Sequence, residues 1–140
     1  MRSESTLLMP PRTIGASEAP STRKHQGIPG VERLSSGRLF AVYYTGTLQG
    51  EGPGNYVVLS TSTDDGRSWR EIQVVGPQGD DALNQRAFDS TLWLDPSGRL
   101  WWFWSQAYSN GLWDNTAPGN VWASICDAPD TDSPQWSSPR

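Results

Sequence analysis

Ser62-Thr63-Asp64-Asp65-Gly66-Arg67-Ser68-Trp69 is the stretch whose reading decides the fold. It predicts a tight turn between two strands. Tyr56-Val57-Val58-Leu59 runs into it and Ile72-Gln73-Val74-Val75 runs out. Short Asp and Ser side chains bond backbone groups a residue or two away and hold such a turn unaided. Gly66 supplies a backbone angle that residues with a Cβ reach only at a cost. Trp69 is expected to lay its ring back over the strand pair. The pattern Ser-x-Asp-x-Gly-x-x-Trp gives Ser62, Asp64, Gly66 and Trp69 a structural role in architecture, not in chemistry.

Working outward, residues 28–34, 39–44, 55–61 and 69–75 read as four short strands of alternating character. Ser35-Ser36-Gly37-Arg38 is the turn between the first two, and a glycine-rich loop, residues 45–54, joins the next pair. The pattern then recurs. Residues 88–94 and 99–105 repeat the first two strands around Asp95-Pro96-Ser97-Gly98, and 120–126 repeats the third. Asp127 to Trp136 reads as a stretched, degenerate version of the opening turn. Ser-Gly-Arg-Leu occurs at 36–39 and again at 97–100, an offset of 61 residues; the paired tryptophans Trp69 and Trp136 are 67 apart. Helical periodicity is missing.

Two copies of a four-stranded antiparallel unit imply an all-β fold of propeller blades. Trp101-Trp102-Phe103-Trp104 is aromatic on both faces, as in a strand covered on both sides. A small two-sheet sandwich of the same strands is the alternative. The expected organisation is a flexible segment over residues 1–24 and a partial propeller over 25–140. Its first blade spans about 27–76 and its second, incomplete, about 86–140. A closed propeller holds ~4–8 blades, so the remaining blades are expected to be missing from this chain.

Composition narrows the function. The chain of 140 residues carries a formal charge of −4, with a pI near 4.8, which argues against nucleic acid as a partner. Eight Trp beside 11 Pro and 14 Gly favour short strands and tight turns over long helices. Cys126 and His25 are the single residues of their kinds. No internal disulfide, thiol-built metal cluster or cofactor is therefore expected. The N-terminus lacks the apolar stretch of a signal peptide and no run reaches membrane-spanning length, so a cytoplasmic location and no membrane partner are the default expectation.

Strand alternation sorts the loops. The 35–38, 62–69 and 95–98 turns share one end. The starts of the first strands and the long 45–54 and 106–119 loops share the other, where a ligand on a propeller axis would bind. Glycosyl transfer needs a carboxyl group as general acid, opposed by a second carboxylate. Glu51, in its glycine-rich loop with no adjacent basic residue, is the candidate acid, and Asp89 is its candidate companion. Arg86 is placed to clamp an acidic sugar through its planar fork, or else to pair with Asp89. Tyr108 and Trp113 are placed to stack on a sugar ring or between blades, and Gln26 to bond one. His25 reads as an ordinary loop residue.

Gln26-Gly27-Ile28-Pro29, the Ser-Gly-Arg-Leu turns, the Asp box at 62–69 and Arg86-Ala87-Phe88-Asp89 together resemble the sialidase (neuraminidase) superfamily, six-bladed propellers with BNR repeats. The resemblance covers about residues 25–140 and is nearest to bacterial sialidase-like proteins. It implies an exo-glycosidase acting on an acidic or related sugar, with a glycan as partner. In sialidases the first strand opens Arg-Ile-Pro, and that arginine helps grip the substrate carboxylate; here Gly27 stands in its place. The acid/base Asp of the family lies in the loop that Glu51 occupies. The family's nucleophilic tyrosine and its remaining arginines come from later blades. The resemblance therefore implies a fragment, inactive by itself. A non-catalytic glycan-binding propeller and a polysaccharide lyase on the same fold are the alternatives.

Overall fold

The computed structural model describes residues 9–80, 84–108 and 119–140. They form two antiparallel sheets. The first holds β1 (His25–Arg33), β2 (Leu39–Gly46), β3 (Tyr56–Ser62) and β4 (Arg70–Val75) in that order. The second holds β5 (Gln85–Leu94), β6 (Leu100–Tyr108) and β7 (Gly119–Cys126), also in chain order. Beyond the 127–136 segment a short tail pairs with β7: Ser137 N–H donates to Ile125 O at 2.8 Å, and Arg140 N–H to Ala123 O at 3.0 Å. β1 and β5 start earlier than the hydrophobic pattern suggests, at His25 and Gln85, because polar residues there continue the backbone ladder.

The repeat is reproduced in the strand register. Arg33 pairs with Leu39 and Leu94 with Leu100; Val31 pairs with Ala41 and Leu92 with Trp102. Each second pair is the first moved on by 61 residues. Both ladders also break at the same place, between Gly27 and Gly30 in β1 and between Phe88 and Thr91 in β5. A bulge of this kind bends a strand and re-aims its side chains. The tight turns behave as read: Gly37 and Gly98 adopt φ of 94° and 83°.

Alternation sets the core. Phe40, Val42, Tyr44, Val57, Leu59 and Val75 of the first sheet face Ala87, Leu92, Leu100, Trp102, Trp104 and Cys126 of the second in one buried cluster. Trp102 and Trp104 are fully buried, their rings 5.1 Å apart and tilted by 53°. Full burial of rings this large is the main apolar contribution to holding the sheets together. β1 runs beside β5 at Gly30, where a Cβ would be in ordinary contact with the Thr91 backbone, 3.5 Å from its Cα.

The other faces of the sheets are more open. Trp101 and Phe103 are only half-buried and Trp93 is 48 % exposed, so β6 is not covered on both sides as its sequence suggests. Segment 9–24, read from sequence as a flexible lead-in, has defined contacts. Met9 is buried and its N–H donates to Gln106 Oε1 at 3.1 Å. Arg12 pairs with Val74 at the edge of β4, and Ile14 packs on Tyr56, Val58 and Val74. Arg23 then pins the segment with bonds of 2.5 and 2.8 Å to Glu71. Among the described residues no helix is long and apolar enough to cross a membrane, and no group of His, Cys, Asp and Glu is arranged to hold a metal.

Candidate functional site

The Asp box closes one end of the first sheet. Ser62 Oγ accepts from Gly66 N–H at 2.9 Å, and Asp64 accepts from Ser68 N–H at 2.8 Å and Ser68 Oγ–H at 2.5 Å. These bonds, the Ser68 hydroxyl first, lower the Asp64 pKa to about 2. Trp69 covers the strand pair only in part, lining a groove over β2 and β3 with Ala41, Tyr43 and Ser60. Its indole N–H donates to Gly66 O at 3.1 Å, and the ring stays 44 % exposed over its own turn. The neighbouring side chains Arg38 and Arg70 reach across to the second sheet's closing loop, Arg38 to Thr131 O at 2.5 Å and Arg70 to Asp132 O at 3.2 Å. The side chains at this end are occupied with structural bonds.

The opposite end is different. The loop after β2 is held by Asn55, which is fully buried, accepts from Gly52 N–H at 2.7 Å and donates to Thr45 O at 3.4 Å. Backbone bonds from Gly54 N–H to Gln85 O and from Ala87 N–H to Asn55 O, both 2.9 Å, tie the loop to β5. Asn55 is thus structural. The loop carries Glu51 against β5, with Arg86 Nη1 3.6 Å from Glu51 Oε2. The sequence shows no basic partner for Glu51 because its partner is 35 residues away in the next sheet. The ion pair at Arg86 goes to Glu51, not to Asp89, and the guanidinium lies 4.1 Å over the Phe88 ring. Arg86 is only 6 % exposed, so its charge is directed into the cluster, not at solvent.

Tyr44, which the sequence reading leaves out, completes the group. Its hydroxyl donates a short hydrogen bond to Glu51. Burial first, then that bond and the Glu51 and Asp89 charges, raise the phenol above its ordinary range. Tyr44 is 2 % exposed and therefore positions Glu51 instead of meeting a ligand. Its ring occupies the space beside Gly27: a Cβ there would lie 2.1 Å from Tyr44 Cζ. The signal was present, since Tyr44 shares the parity of buried Phe40 and Val42 at the end of β2.

Asp89 sits in the β5 bulge at φ 43°, a positive angle rare outside glycine. Positive φ without glycine concentrates at functional positions. Its pKa is raised, by partial burial first and then by the Glu51 charge, with Arg86 acting the other way. Asp89 is exposed to solvent, so water screens part of this shift. Glu51, with its side chain 31 % exposed, and Asp89 are thus the two reachable acids of the cluster.

The other candidate residues lie apart. Gln26 is exposed on the far face of β1 and lines a groove there with Ile28, Ala41 and Ser60. Tyr108 packs against the edge of the shared core. Trp113 lies outside the described residues. His25 stands beside Tyr44, rings 5.6 Å apart. No family model matches the chain, and no curated protein matches it.

Proposed function

We propose that the chain forms two neighbouring blades of a sialidase-like propeller and that its Glu51–Asp89 end handles a glycan. One observation carries the reading. Glu51, held by a buried arginine and a buried tyrosine, lies near enough to Asp89 of the inner strand β5 for each to feel the other's surroundings, at the end away from the 62–69 turn. Glycoside hydrolysis uses two carboxyl groups of unlike proton affinity across the scissile bond.

Asp89 is the acid in this proposal. Its raised pKa favours the protonated form, which gives its proton to the leaving oxygen as the glycosidic C–O bond breaks. Glu51, oriented by Tyr44 and Arg86, is the second carboxylate, which assists the attacking water or bonds to the anomeric carbon. The roles are the reverse of those expected from the Asp-bearing loop of the sialidases. Arg86 is engaged with Glu51 and Phe88, so it serves to position the pair and the sugar meets the two acids.

Release of the aglycone from a panel of aryl glycosides, acidic and neutral, tests the proposal. Hydrolysis by the wild-type chain that falls at least ~100-fold in both Asp89→Asn and Glu51→Gln supports it. Sugar binding without turnover in any of them favours the glycan-binding alternative. Unsaturated products absorbing in the near ultraviolet favour a lyase.

A further inference from the structure

The two sheets leave two open faces, and the repeat relates these to the two faces already packed inside the chain. Moving on by 61 residues carries Phe40, Val42 and Tyr44, which face the second sheet, onto Trp101, Phe103 and Ser105, on that sheet's open side. Moving back by the same step carries Leu100, Trp102 and Trp104, which face the first sheet, onto Leu39, Ala41 and Tyr43, on its open side. The open face of each sheet is therefore the counterpart of the inward face of the other. The relation is head to tail: the surface that fits one open face is the other open face, on another copy of the chain.

The chemistry of the faces agrees. The second sheet presents a ridge: Trp93, Trp101 and Phe103 stack with centroids 6.0 and 5.9 Å apart, next to Val121, 70 % exposed. The first sheet presents a groove of about 810 Å³ whose lining includes Gly27, Ile28, Ala41, Tyr43, Ser60 and Trp69. Ile28 is 59 % exposed. The rings of the ridge thus meet a groove that combines small side chains with two rings of its own, Tyr43 and Trp69. The N-terminal segment borders this half of the sheet through Pro20 and Arg23, which bonds Tyr43, while Ile14 and Arg12 sit on the β3–β4 half. Inside the chain β5 packs mainly on β1 and β2. By the repeat, β1 of one copy takes the place of β5 against β5 and β6 of the next, through the β1–β2 half.

We propose that copies of this chain associate head to tail, the aromatic ridge of one seated in the β1–β2 groove of the next, and close into a ring. Closed propellers hold ~4–8 sheets, and two per copy gives a ring of about two to four copies. The inference rests on the sheet repeat and not on the glycan reading, because the readout is mass.

Sedimentation velocity and native mass spectrometry of the full chain test it. The expected result is one discrete species at a small multiple of the 15.4 kDa chain mass. Val121→Lys damages the ridge and Ile28→Lys the groove, so each alone is monomeric. Mixed, they give a one-to-one heterodimer and nothing larger, since one intact ridge then meets one intact groove. If either loses the wild-type circular dichroism spectrum, Trp93→Arg or Gln26→Arg takes its place. A wild-type monomer at every concentration, as expected if further sheets of a longer polypeptide cover these faces, overturns the proposal. So does open-ended polymerisation, or a mixture that forms no heterodimer.

Discussion

Gly27 shows how one missing side chain shapes the candidate site. The Tyr44 ring fills the space beside it, and that ring holds Glu51. An arginine at this position, as in the sialidases, would meet the phenol. Gly27→Ala is expected to displace Tyr44, costing about 1–3 kcal/mol in chemical denaturation through overpacking and shifting the Tyr44 ring signals in NMR. Unchanged ring signals would contradict the packing. Asp89 gives a second test. Its carbon-detected titration should have a midpoint above the ordinary 3.8, and Glu51→Gln should lower it by removing a neighbouring negative charge. An unmoved midpoint would separate the two acids. At this scale the sequence made Glu51, Arg86 and Asp89 legible as acids and a base near one end. It hid their pairing, because contact across two sheets has no local spacing to betray it. Tyr44 was hidden as a site residue for the same reason: its neighbours in sequence mark it as core.

The turns are elements whose stability the sequence already spells out. Asp64 in the Asp box and Asp95 at the β5–β6 turn both have pKa values lowered to about 2. Ser68 is the main cause for the first and the Trp101 indole N–H for the second. In the N-terminal segment Glu18 is lowered to about 2 as well, chiefly by Arg12. Each favours the folded state fully above its ordinary pKa and loses that contribution as pH falls towards 2, because the unfolded chain takes up the proton first. Asp89 runs the other way, contributing most at low pH and losing its contribution as pH rises through its folded pKa. Thermal melts should therefore fall steeply between about pH 4.5 and 2; a flat profile there would contradict the three bonded carboxylates. Asp64→Ala should speed amide hydrogen exchange at Ser68 while leaving core amides of β2 and β3 unchanged. Element order and type were legible because glycine-bearing turns and alternating strands carry local signals. The bulges were not: they consist of register, which appears only when two strands are paired.

The whole molecule is two meanders sharing one aromatic core. Trp102→Ala, at a fully buried ring between the sheets, should cost about 3–5 kcal/mol and lower the denaturation midpoint without changing strand content. A loss below about 1 kcal/mol would mean that the sheets do not depend on that core. The 61-residue repeat was readable from the two Ser-Gly-Arg-Leu turns, and it extends to strand register and bulge position. Closure of a wheel was not readable, because it depends on what covers the two open faces. The functional reading stands on the separation of two ends: bonded turns at one, two accessible acids at the other. Amide chemical-shift mapping of the chain titrated with acidic and neutral sugars tests this most directly. The expected result is perturbation at Glu51, Arg86 and Asp89 with residues 62–69 unmoved; perturbation centred on the Asp box, or none with any sugar, would contradict it.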